Sequence, residues 1–169
     1  MPTDIFIIGT HHGYQHMSDE FSARQHDAFS SMLIEQIAKN KVQLLSEESS
    51  EEVLQSLDIS VSALQIIADK VQICHLFTEG TLEYRNANGM EHENLIRASG
   101  FLNNLTEEEI SSKVEQSYRN RERYWLQRIT EAEKWPVIHV CGAKHADPFF
   151  RLAGREGCDA QLLFKDWSN

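Results

Sequence analysis

Two short segments of this sequence carry the same pattern. Gly9-Thr10-His11-His12 and Gly142-Ala143-Lys144-His145 each place a histidine three residues after a glycine that closes an apolar run. Imidazoles at such places bind a divalent metal or move protons. Between them in the chain, Glu47 and Glu48 follow the apolar stretch Val42 to Leu45. A carboxylate there is a candidate metal ligand or general base. Arg121 lies in an arginine-rich segment of an otherwise acidic chain. A guanidinium can hold a carboxylate or phosphate, or stabilise developing negative charge.

Strands and helices must bring these groups together. Asp4 to Gly9, Val42 to Leu45, Val71 to Phe77, Val137 to Cys141 and Asp159 to Phe164 read as buried strands. Helical spacing recurs over Phe21 to Lys39 and from Thr106 to about Lys134, where Pro136 sets the end. Ser49 with Glu52 reads as a capping box, and Ser60 as the cap of the next helix. Asp147-Pro148 reads as the start of a helix that stops near Gly157. In residues 78–101 only Glu91 to Ala98 reads as helical. The alternation predicts an α/β fold: one domain over 1–169, with a mostly parallel central sheet of about five strands between layers of helices.

Ligands of such sheets bind at the carboxyl ends of the strands. His12, Glu47 or Glu48, and His145 all follow strand ends, so they are expected at one edge. Glycine at a strand exit is expected to let the backbone turn sharply. Of the two glutamates, Glu47 follows the apolar stretch more closely and is the favoured one. Either also fits the acidic start of the next helix. His11 is a second ligand or a solvent-facing neighbour. His75 and His139 fall within strands and read as packed, hydrogen-bonded core histidines. Arg121, Tyr124, Trp125 and Arg128 share a helix face, with Trp125 and Ile129 as anchors. The bland alternative is a solvated face paired with Glu115, Glu122 and Glu131. Arg123 and Lys144 accompany the main candidates.

The net charge of −10 and pI near 5.2 disfavour partners with a nucleic-acid backbone or an anionic membrane. No apolar run approaches the roughly 20 residues that span a bilayer. Met1-Pro2-Thr3-Asp4 lacks the features of a signal peptide. The three cysteines form no Cys-x-x-Cys. They read as free thiols, buried at Cys74 and Cys141, of a protein expected in the reducing cytoplasm. A nucleotide-transfer reading of the His-rich first loop lacks both Gly-x-Gly-x-x-Gly and a Walker-type loop.

Four segments together resemble the TraB/Tiki-like and erythromycin-esterase/ChaN-like group of hydrolase-like proteins. They are Ile7-Ile8-Gly9-Thr10-His11-His12, Leu44-Leu45-Ser46-Glu47, Arg121-Glu122-Arg123-Tyr124 and Val140-Cys141-Gly142-Ala143-Lys144-His145, in the order that group shows. The resemblance implies a site of His12, Glu47, Arg121 and His145. In the Tiki branch such residues are associated with metal-dependent peptide cleavage; other branches hydrolyse esters or handle haem iron. The expectation is a small hydrolase acting on a small molecule or peptide. A divalent metal on His12, Glu47 and His145 would supply activated water. The alternative is a binding module that captures a small anion at the same edge without turnover.

Overall fold

The computed structural model describes residues 3–168. Five strands form one sheet: β1 (Asp4–Thr10), β2 (Leu44–Glu47), β3 (Cys74–Phe77), β4 (Val137–Gly142) and β5 (Asp159–Trp167). Their order is β3-β2-β4-β1-β5, and every pairing is parallel. The apolar runs of β1 and β4 are continuous because helices cover both faces.

Strand alternation sends successive side chains to opposite layers. Phe6, Ile8, Leu45, Ile138 and Val140 pack with Tyr14 of α1 (His12–Gln15), with α2 (Ala23–Asn40) and, past α3 (Glu51–Ser56), with α4 (Ala63–Val71). Ile5, Ile7, Leu44, Val137 and Cys141 face the other way. After α5 (Leu82–Ala87) and α6 (Glu93–Leu102), the chain supplies that layer with α7 (Glu107–Glu131) and α8 (Ala143–Arg155). Three layers result.

The connection from β1 leads to β2 on one side, and the connection from β4 leads to β5 on the other. Adjacent strands whose exits part in this way open a crevice at their carboxyl ends. The register sets Thr10 opposite Gly142, so both exits lie level at that crevice.

Several local expectations are corrected. Ser50 caps α3 in place of Ser49, and Ser62 caps α4 in place of Ser60, with Gln65 completing a capping box. α8 begins at Ala143 with Gly142 as its N-cap, so Pro148 lies inside it, and Asp147 bonds Arg151 at 2.6 Å within the helix. Residues 78–101 hold two helices where one was expected. Cys74 is exposed, since β3 is an edge strand, and all three cysteines are free. No helix among the described residues is long and apolar enough to cross a membrane.

Candidate active site

Thr10, His12, Glu48, Arg121, Gly142 and His145 line one cavity of about 650 Å³ at the β1/β4 crevice. Glu48 is its centre. The residue is 6% exposed. Its Oε1 accepts from Arg121 Nη2 at 2.5 Å, and its Oε2 from the Gly142 N–H at 2.8 Å. Burial pushes the Glu48 carboxyl up. The charges of Arg121, His12 and His145 and the Gly142 N–H outweigh burial and hold it at about 2.

The two imidazoles flank this carboxylate. His12 Nε2 lies 3.8 Å from Glu48 Oε2, and His145 Nε2 lies 3.7 Å from Oε1. Each ring is held from behind through Nδ1. His145 Nδ1 is 2.8 Å from Glu122 Oε1. A carboxylate only accepts, so Nδ1 carries a proton, and in the neutral ring Nε2 faces the cavity with its lone pair. His12 Nδ1 is 2.8 Å from Gln15 Oε1. His145 is buried against Trp125 and Tyr118, whereas the His12 side chain is 46% exposed.

α7 supplies the support. Tyr118, Arg121, Glu122 and Trp125 recur at the spacing of one helix face; Tyr118, Glu122 and Trp125 meet His145 on α8, and Arg121 meets Glu48. Arg121 is clamped between Glu48 and Glu79, with Glu79 Oε1 also accepting from Trp125 Nε1 at 2.7 Å. These carboxylates raise the Arg121 pKa against the effect of burial. Arg119 binds the second oxygen of Glu122 at 2.6 Å. Tyr118 donates to Glu93; burial and that bond push its phenol up to about 12. The bland reading of the arginine face is therefore corrected at Arg121 and Glu122, which are both buried.

Glu47 is not part of this cavity. It is fully buried on the opposite face of β2 and accepts from Ser62 Oγ at 2.5 Å, His75 Nε2 at 2.8 Å and Gln15 Nε2 at 3.2 Å. Alternation gives the reason: Leu44, Ser46 and Glu48 face α7 and α8, whereas Leu45 and Glu47 face α4. The preference for Glu47 over Glu48 is corrected accordingly, and the set His12, Glu47 and His145 does not assemble. His75 lies in β3 and is hydrogen-bonded as expected, with Glu47 as its partner. His139 bonds Ser46, and burial drives its pKa down to about 3.

The remaining candidates lie further out. His11 lines the rim and caps α1 by accepting from the Gly13 N–H. Lys144 is an exposed rim residue 3.4 Å from Glu93. Arg123 is exposed, bonds Asn120 and lines a different hollow. Sequence reasoning missed Gln15, Glu79 and, as a functional residue, Glu122. The strand-exit rule applied to β3 points to Glu79. The spacing 118, 121, 122, 125 points to Glu122.

The glycines act by absence of bulk. Neither Gly9 nor Gly142 has positive φ, so neither uses the left-handed freedom of glycine, although the chain passes directly from β4 into α8 at Gly142. A Cβ on Gly142 would lie 2.9 Å from His12 Nε2, and one on Gly9 would lie 2.1 Å from the Lys165 carbonyl oxygen. Each glycine permits a close approach.

Two imidazole nitrogens and a carboxylate are donors that suit a divalent ion. Their arrangement does not. Both Glu48 oxygens already accept strong donors, and the Arg121 charge stands beside them. Among the described residues, no group of three or more His, Cys, Asp or Glu is placed to hold a metal ion. Comparison of the chain with family models, curated proteins and solved structures finds no match.

Proposed function

We propose that this chain hydrolyses a carboxylic ester or amide, with His145 as general base. One observation carries the reading: His145 Nδ1 is held by the buried carboxylate of Glu122 while Nε2 faces the cavity beside Glu48. A water oxygen attacks the carbonyl carbon, and His145 Nε2 takes its proton. Glu122 and Glu48 stabilise the imidazolium that forms. The proton then passes to the departing alkoxide or amine as the carbonyl bond to it breaks. His12 Nε2 accepts a second hydrogen bond and orients the water. The oxyanion meets the first-turn N–H groups of α8, whose N-cap Gly142 contributes no side-chain cap. Arg121 fixes Glu48 in place. The likeness of the Gly-x-x-His segments to the TraB/Tiki-like and erythromycin-esterase-like group supports the same reaction class.

The test is turnover of p-nitrophenyl acetate and butyrate by the purified chain. His145→Ala is expected to lower kcat/KM by a factor on the order of a thousand, and His12→Ala by about a hundred. Both variants should keep the wild-type circular dichroism. A chelator should leave the rate unchanged. Folded variants that retain wild-type rates would sink the proposal. The uncapped α8 and Lys144 favour a second reading, capture of a small anion without turnover. Phosphate or acetate would then raise the melting temperature while every ester stayed intact.

A further inference from the structure

Behind His12 runs a buried chain of hydrogen bonds that the proposed reaction does not use. Gln15 is fully buried. Its Oε1 lies 2.8 Å from His12 Nδ1, and its Nε2 lies 3.2 Å from Glu47 Oε2. Glu47 is fully buried too, and its other oxygen accepts from Ser62 Oγ and His75 Nε2. Three donors thus converge on one carboxylate that sits outside the cavity.

We infer that Gln15 is a positioning residue, oriented by Glu47, that fixes the tautomer of His12. The logic runs from the carboxylate outward. Glu47 only accepts, so it claims the amide NH₂ of Gln15. The Gln15 carbonyl oxygen is thereby turned to His12. That oxygen also only accepts, so His12 must donate from Nδ1. Nε2 is left with its lone pair in the cavity, the reverse of the form free histidine prefers. A glutamine alone has no such preference, because either end of its amide can face the ring. Glu47 removes that freedom. Ser62 in turn holds Glu47 from the N-terminus of α4, where its Oγ also caps the Gln65 N–H.

The catalytic meaning of this tautomer rests on the hydrolase reading, but the tautomer itself does not. Nitrogen NMR of the full chain labelled at histidine reads it without substrate. Wild-type His12 should show Nδ1 protonated and Nε2 unprotonated at a pH where the ring is neutral. Gln15→Met removes both amide contacts at similar volume. His12 should then populate the Nε2–H form, and kcat should fall on the order of ten- to a hundred-fold, with KM within about twofold. The exchanged pair Gln15→Glu with Glu47→Gln keeps one carboxylate and one amide in the chain and should restore the Nδ1–H form. An Nε2–H wild-type ring overturns the inference even if the variants fail to fold. So does a folded Gln15→Met chain whose tautomer is unchanged. Absence of ester turnover with the expected tautomer would overturn the hydrolase reading and leave the positioning chain standing.

Discussion

The two Gly-x-x-His segments have the same spacing, leave neighbouring parallel strands at the same level, and aim Nε2 at the same carboxylate. They differ in what stands behind the ring. His145 is in the first turn of the 13-residue α8 and is backed by the carboxylate of Glu122. His12 opens the four-residue α1, is half exposed, and is backed by the neutral amide of Gln15. A carboxylate stabilises an imidazolium, whereas an amide chiefly fixes a tautomer. The pattern thus locates two imidazoles, and the Nδ1 partner decides which of them takes the positive charge.

The sharpest way to break that contrast is Glu122→Gln, which makes both backing groups amides. The outcome depends on the second neighbour of the amide. At Gln15 the second neighbour is a carboxylate, so the oxygen faces the histidine. At position 122 it is Arg119, a donor, at 2.6 Å. The new amide oxygen should turn to Arg119 and present NH₂ to His145 Nδ1. His145 then carries its proton on Nε2 and cannot act as the base that the proposed reaction needs. Ester turnover should fall by roughly three to four powers of ten, the scale of a wrong tautomer behind a catalytic histidine. Adding Arg119→Glu should turn the amide back and recover part of the rate. A Glu122→Gln chain with near wild-type kcat would show that the two rings do not differ as argued.

The glycines sharpen the comparison further. A methyl on Gly9 meets backbone, the Lys165 carbonyl oxygen, and Ala146 Cβ at 2.7 Å. β5 or α8 must shift, so Gly9→Ala should cost about 3 kcal/mol or more in a denaturant melt. A methyl on Gly142 meets the ends of two side chains, His12 and Glu48. These can move, so Gly142→Ala should cost about 1 kcal/mol or less while displacing His12 and lowering kcat. The first glycine serves the sheet and the second serves the site. Equal stability losses in the two variants would erase that division.

Much of this was legible in the sequence. Continuous apolar runs such as Ile5 to Ile8 mark strands buried on both faces, and the strand–helix alternation gives the parallel sheet. The strand-exit rule brings His12 and His145 to one crevice. The choice between Glu47 and Glu48 was not legible, because it turns on which layer α7 covers, and that is set by contacts distant in sequence. Glu122 was hidden differently. Among arginines it reads as a surface pairing partner, and only the packing of α7 against α8 buries it. Gln15 carries no charge and no motif, so its role follows from the bonds of Glu47 alone.

The last expected effect concerns the carboxylate that both rings share. Glu48 is held at about 2 in the fold, against 4.5 for an unperturbed glutamate. Above pH 4.5 neither the folded nor the unfolded chain protonates it, and its stabilisation is complete. As pH falls from 4.5 towards 2 the unfolded chain takes up a proton that the folded chain refuses, so stability drops. The shift corresponds to on the order of 3 kcal/mol. His139, held at about 3, adds its own loss from pH 6.5 downward, because the unfolded chain charges it first. Subtraction of a Glu48→Gln series from a wild-type series removes that shared background. Urea melts of the two chains should differ most above pH 4.5 and converge towards pH 2. A gap that stays constant across the window would mean that Glu48 is not held ionised by Arg121, His12 and His145. The two histidines would then lack the common charge on which their comparison rests.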